Sequence, residues 1–168
     1  MESTMKNFSD NSSQSHHFAE VSLRYSPSAD MALRPKLHAP NDVFEYLLKL
    51  WDLDTIEISE TFYVLLFNNK NRLLGWSQIS KGSRSATVVD VGHIVTLALL
   101  GNASHLVIAH NHPSGELRPS RADIRITGRL VEALGLHDIR LNDHLIINRQ
   151  EYYSFAEQGL VHAQHESP

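Results

Sequence analysis

The chain has 168 residues, 42% hydrophobic and 20% charged, which suits one packed domain and is too short for two ordinary ones. It contains no cysteine, so disulfide frameworks and thiolate metal sites are excluded, any tight metal site must use His, Asp or Glu, and the composition is compatible with a reducing cytoplasm. A formal net charge of −4 argues against a dominant phosphate-binding surface, because nucleic-acid affinity is mostly electrostatic.

Residues 1–36 carry no periodic apolar pattern and are rich in Ser, Asn and Asp, which predicts a flexible N-terminal arm with a short extended piece at Val21–Tyr25. The tandem His16-His17 reads as a solvated pair. No basic segment leads into an apolar stretch with a cleavage site, and no stretch approaches the roughly 18 apolar residues of a membrane span. The chain therefore reads as soluble and cytoplasmic, without a membrane partner.

Order is expected from Leu37. Asn41 or Asp42 is predicted to cap a helix whose Val43, Tyr46, Leu47, Leu50 and Trp51 recur at helical spacing. The β-rich run Thr61–Phe67, the polar turn 68–72 and the segment from Leu73 to Ile79 predict an antiparallel hairpin. A loop follows over 81–85, then a buried helix from Asp90, its cap, to Leu100, ended by Gly101-Asn102. His105–Ala109 reads as a short central strand, and Ser120–Leu136 as a helix with Ile124, Ile126, Thr127, Leu130, Val131 and Leu134 on its apolar side. Ile139–Asn148 is the next strand, and Glu151–Gln158 a short terminal helix stopped by Gly159, with a tail over 161–168. The order predicts an α/β domain over 37–160, a mixed sheet with helices on both faces.

His110 and His112 stand two apart at the end of an apolar run, and Asp123 follows after a loop bearing Pro113, Gly115 and Pro119. Side chains two apart on a strand share a face, so one strand end presents both imidazoles. Two neutral nitrogens and one carboxylate oxygen are ligands that a catalytic zinc ion accepts, with a fourth position left for water. Gly115 serves a sharp turn, and the prolines stiffen the loop between ligands.

The segments His110-Asn111-His112-Pro113-Ser114-Gly115 and Pro119-Ser120-Arg121-Ala122-Asp123, with Glu60-Thr61-Phe62 upstream and Asn142-Asp143-His144-Leu145-Ile146-Ile147 downstream, resemble the JAMM/MPN (JAB) metallopeptidase family, and within it the RadC-like branch. The resemblance implies a cytidine-deaminase-like α/β sandwich and a Zn2+-dependent hydrolase acting on a peptide or protein substrate, cleaving a peptide or isopeptide bond. It implies that His110, His112 and Asp123 hold the ion, that Glu60 is the general base and then acid, and that Ser120 stabilises the oxyanion. Glu57 is the rival base by sequence alone. Ser120 and Asp123 also fit a capping box, and the two readings coexist. Asp143 and His144 match the family's Asp-His pair, with His144 read as a packed, hydrogen-bonded residue rather than a ligand. His93, His105 and His137 lack partners in sequence.

A second reading is a non-catalytic or DNA-associated module linked to DNA repair or mobile elements, as RadC-like proteins are traditionally labelled. The chain lacks room for the helix-hairpin-helix-like N-terminal region of longer relatives, which weakens that reading. Arg121, Arg125 and Arg129 recur every four residues, with Arg118 before them, and read as a solvated helix stripe rather than a nucleic-acid footprint. The letters His-Asn-His are adjacent here, unlike the spread HNH nuclease unit. Zinc deaminases of related fold need a Pro-Cys-x-x-Cys set that a cysteine-free chain cannot supply.

Overall fold

The computed structural model describes residues 30–82 and 89–161. Its elements are α1 (Pro40–Leu50), β1 (Thr61–Phe67), β2 (Leu73–Lys81), α2 (Val91–Leu100), β3 (His105–Asn111), α3 (Arg121–Gly135), β4 (Arg140–Ile147) and β5 (Tyr152–Ser154), preceded by a 3-10 turn at Met31–Leu33. The strands form one sheet in the order β2-β1-β3-β4-β5, in which only β3 and β4 are parallel. The α3 crossover makes that parallel pairing.

All seven residues of β1 and of β3 are buried, as expected of central strands covered on both faces. Alternation sorts them into two cores. Phe62, Val64, Leu66, Leu106 and Ile108 pack with Ile94 and Ala98 of α2 and with Leu130 and Leu134 of α3. Tyr63, Leu65, Phe67, Val107 and Ala109 pack with Val43, Phe44 and Leu47 of α1. Each buried Val, Leu, Ile or Phe among them is worth about 1.5–3 kcal/mol of transfer free energy. The same alternation assigns His110 to the α3 side of the sheet.

Several local expectations change in the folded chain. The segment Glu151–Gln158 is not a helix. Tyr152–Ser154 pairs with Leu145–Ile147 as the edge strand β5, followed by turns, because the β-forming tyrosines meet an open edge of β4. Gly159 still takes a positive φ of 70° at the end of those turns. Helix α1 starts at Pro40 rather than at an Asn41 or Asp42 cap. Proline suits the first helical position, and Asp42 accepts from His38 N and Ala39 N at 2.8 and 3.1 Å from inside the first turn.

Packing also begins before Leu37. Leu73 N donates to Pro35 O, and the Arg72 guanidinium donates to the carbonyls of Ala32 and Arg34. Ile124 is 43% exposed, and the buried stripe of α3 is Thr127, Gly128, Leu130 and Leu134. Val161, placed at the start of the tail, is part of the α3-side core. The expectations for His16-His17 and Val21–Tyr25 lie outside the described residues, as does most of the 81–85 loop.

Candidate metal centre

Strand β3 runs two residues further than its apolar run, so His110 is its penultimate residue and His112 follows just beyond its end. The loop then turns sharply: Gly115 N donates to His112 O at 2.9 Å, and Gly115 sits at φ 76°, where a side chain would be strained. Ser120 caps α3. Its hydroxyl accepts from Asp123 N at 3.2 Å, and Asp123 Oδ2 accepts from Ser120 N at 2.6 Å, a reciprocal capping box. Capping thereby turns Oδ1 and the remaining lone pairs of Oδ2 toward the strand end.

His110, His112 and Asp123 form a group able to hold a metal ion, with one donor atom from each lying within 4.8 Å of the others. His110 Nε2 is 2.9 Å from His112 Nε2 and 3.3 Å from Asp123 Oδ1, and His112 Nε2 is 3.4 Å from Asp123 Oδ2. A tetrahedron with bonds of about 2.0–2.2 Å has edges of about 3.3–3.6 Å. The two His–Asp separations, each to a different carboxylate oxygen, are of that size, and the His–His separation is shorter.

The short His–His contact is informative. His112 Nδ1 lies 2.7 Å from the carbonyl of Glu116, which only accepts, so the proton is on Nδ1 and a lone pair on Nε2. With the His110 proton on Nδ1, three electron-rich atoms converge, an arrangement that a cation or an added proton relieves. Accordingly the hydrogen bond with Asp123 holds His112 above the usual histidine range. Burial pushes Asp123 upward, yet its hydrogen bonds with His110 and His112 win and hold it far below the usual carboxylate range.

Glu60 enters from the residue before β1. It lines the same cleft of about 610 Å³ as His110, His112, Ser120 and Asp123, with Phe62, Val89 and Ile126 as apolar walls and Arg125 and Arg129 at the rim. Glu57 does not line this cleft; it lies in a separate pocket on the other side of His112, its exposed carboxylate accepting from Arg149 Nε at 3.0 Å. One residue that positions the backbone around Glu60 is one the sequence reading passed over. Buried between the two histidines, Asn111 points to the opposite face. Its Oδ1 accepts from Thr61 N at 2.8 Å, and its Nδ2 donates to Ser59 O at 3.0 Å and Ile56 O at 2.6 Å. Both peptide neighbours of Glu60 are thus tied to β3. Its place between two candidate ligands was the only sequence signal for it.

Asp143 belongs to the framework. Its Oδ2 accepts from the Ser154 hydroxyl at 2.6 Å, and its Oδ1 accepts from Ala156 N and His144 N, joining β5 and the following turn to β4. Burial nevertheless pushes its carboxyl up, against those hydrogen bonds. His144 is fully buried, stacked on Phe155 with ring centroids 4.5 Å apart, and desolvation holds it well below the usual histidine range. Its Nε2 is 2.8 Å from His110 Nδ1 and its Nδ1 is 2.7 Å from Thr127 Oγ1. Of the arginine stripe, Arg125 and Arg129 line the cleft, and neither forms an ion pair with a described residue.

A mixed sheet between helices, with a His-His-Asp group at the end of its central strand, defines a JAB-type domain. The chain belongs to the RadC-like JAB domain family, whose model matches residues 37–160. It is similar to the UPF0758 protein YeeS of Escherichia coli strain K12, 49% identical over 102 residues that cover 61% of this chain and 69% of the relative. It is also similar to a UPF0758 protein of Cellvibrio japonicus, 43% identical over 131 residues covering 78% of this chain and 57% of the relative. With a UPF0758 protein of Flavobacterium johnsoniae it shares 45% identity over 101 residues, covering 60% of this chain and 44% of the relative. The chain thus spans about half the length of the last two. Among the described residues, no helix is long and apolar enough to cross a membrane.

Proposed function

We propose that this chain is a zinc-dependent hydrolase that cleaves a peptide or isopeptide bond in a peptide or protein substrate, in the reducing cytoplasm that its cysteine-free composition suits. The observation that carries this reading is the convergence, in one cleft, of the three ligand atoms of His110, His112 and Asp123 with a separate carboxylate, Glu60. Two imidazoles and a carboxylate fit zinc, and His110, His112 and Asp123 would hold it. When bound, zinc supplies Lewis-acid polarisation of the scissile carbonyl and a water acidic enough to lose a proton near neutral pH.

The chain's own groups do the rest. Glu60 takes the proton from the attacking water and delivers it to the leaving nitrogen, as its position in the cleft beside His112 allows. Ser120 uses its oxygen to accept from Asp123 N, so its hydroxyl hydrogen remains available to donate to the oxyanion of the tetrahedral intermediate. Phe62, Val89 and Ile126 give a wall that lowers the local dielectric around the reacting carbonyl.

Glu60→Gln tests the assignment, because it preserves size and hydrogen bonding while removing the proton acceptor. Zinc content should stay at one per chain, and turnover on the substrate found in a peptide and isopeptide panel should fall about 10²–10⁴-fold. Wild-type turnover with zinc bound would exclude Glu60 as the base, and loss of zinc would make it a ligand.

The DNA-associated reading draws on Arg125 and Arg129 at the rim. Two phosphate contacts give a log–log salt slope of only about −2, too shallow for appreciable non-specific affinity at physiological salt. Duplex binding with a much steeper slope would favour that reading.

A further inference from the structure

A histidine ligates metal through a nitrogen that carries no proton, and an unconstrained imidazole exchanges between two tautomers. His110 aims Nε2 at the centre, so its proton must reside on Nδ1. The buried contacts behind it decide where that proton goes.

Thr127 Oγ1 lies 2.7 Å from the carbonyl oxygen of Asp123. Two oxygens that close need a proton between them, a carbonyl has none, and so the hydroxyl hydrogen points to Asp123 O. That hydroxyl has nothing left to donate to His144 Nδ1, 2.7 Å away, so His144 Nδ1 carries a proton and donates to it. Neutral His144 then presents a lone pair at Nε2, 2.8 Å from His110 Nδ1. Two facing lone pairs would repel, so His110 Nδ1 carries the proton, and its Nε2 is left bare toward His112 and Asp123. Every contact in the relay holds one proton, and each proton has one available donor. His110, His144 and Thr127 are 1%, 0% and 2% exposed, so no bulk water substitutes for a missing partner.

We propose that Thr127 and His144 form a tautomer lock, positioning residues that make His110 an obligatory Nε2 ligand two hydrogen bonds away from the hydroxyl that sets it. The lock rests on the reading of His110, His112 and Asp123 as a metal site. Its start and end are both at that site, since the hydroxyl that begins it is anchored on the backbone of Asp123. Without the hydroxyl, His144 can move its proton to Nε2. His110 must then accept at Nδ1 and carry its proton on Nε2, where it blocks the ion.

Two measurements on the full chain test this. The first is zinc affinity by chelator competition for the wild type, Thr127→Val, Thr127→Ser and His144→Gln. Thr127→Val should bind zinc about 10–100-fold more weakly, the size typical of losing an outer partner of a ligand. Thr127→Ser, which restores the hydroxyl, should return within a few-fold of wild type, and so should His144→Gln, whose amide oxygen can accept from His110. A purely packing role for Thr127 would not separate serine from valine in this way. The second is ¹⁵N NMR of the imidazoles, which needs no variant and no metal: His144 should show a protonated Nδ1 and a bare Nε2. The opposite tautomer of His144, or unchanged zinc affinity in Thr127→Val, overturns the lock. A wild type that binds no zinc would defeat the zinc reading alone, because the tautomer of His144 still decides for or against the lock.

Discussion

Strand β3 carries a buried histidine near each end, and the two have opposite surroundings. His105 is 3% exposed and His110 1% exposed, so burial does not tell them apart. His105 faces the α1 side, stacked flat on Phe67 with centroids 5.2 Å apart, and its Nδ1 is buried without a hydrogen-bond partner among the described residues. Burial, with Arg140 nearby, pushes it below the usual histidine range, and its ring serves as an aromatic filler. His110 faces the α3 side, where Nδ1 meets His144 and Nε2 meets His112 and Asp123. What separates a candidate metal ligand from a packing residue is the set of donors and acceptors around the ring, not its burial.

The contrast breaks if metal binding follows the wrong histidine. His112→Ala should abolish stoichiometric zinc binding, measured by elemental analysis after dialysis, whereas His105→Phe should retain one zinc per chain. Equal zinc in His112→Ala and wild type would remove this centre as the binding locus.

A smaller effect is expected at Asn111, which shares β3 but faces away from His110 and His112. Asn111→Ala removes the side-chain bonds to both neighbours of Glu60, and if Glu60 is the base, a displacement of about 1 Å costs roughly 10²-fold. Turnover should fall by about that factor with zinc content unchanged; parallel loss of zinc would mean that Asn111 supports the ligands as well.

The pH dependence sharpens the picture further. His112 is held above its ordinary range chiefly by Asp123, so protons compete for its Nε2. Zinc affinity should therefore be constant above that raised pKa and fall about tenfold per pH unit below it, read by chelator competition across pH. A pH-independent affinity down to pH 5 would contradict ligation by His112.

The smallest effect belongs to His105. Replacing it with Phe removes a buried unpaired nitrogen and keeps the stack on Phe67, which should stabilise the fold by about 1 kcal/mol in denaturant titrations. Because the folded pKa of His105 is lowered, the unfolded chain takes up the proton first. The stability is thus complete above the unfolded value near ~6.5 and declines as pH falls toward the folded one. The advantage of His105→Phe should consequently grow with acidification, by at most about 1.4 kcal/mol per pH unit. A variant less stable than wild type at every pH would show that Nδ1 has a role that packing alone does not explain.

Local order set much of this in the sequence. The period-2 alternation of a strand put His110 and His112 on one face, and the reciprocal bonding of Ser120 with Asp123 is a three-residue capping pattern legible before any fold exists. Helix α2 followed from its Asp90 cap, although the helix expected to be buried hides only Ile94 and Ala98 and leaves Leu99 and Leu100 exposed, while α3 followed from its capping box and apolar side and the β1–β2 hairpin from its polar turn. What tertiary structure alone decided lies in contacts far apart along the chain. Asn111 reaches 50 and 55 residues back to Thr61 and Ile56, and nothing in its neighbours announces that. Glu57 and Glu60 are chemically equal in sequence; Arg149, 92 residues from Glu57, engages one while the cleft takes the other. Tyr152–Ser154 became a strand because β4 had an open edge at that height. The tautomer of His110 depends on a threonine and a second histidine brought together across α3 and β4. Local hydrogen bonds and side-chain periodicity act within a turn or two of chain, so a sequence displays them directly. A proton's position on a buried ring is set by whichever donors and acceptors the packed sheet and helix bring within 3 Å of it.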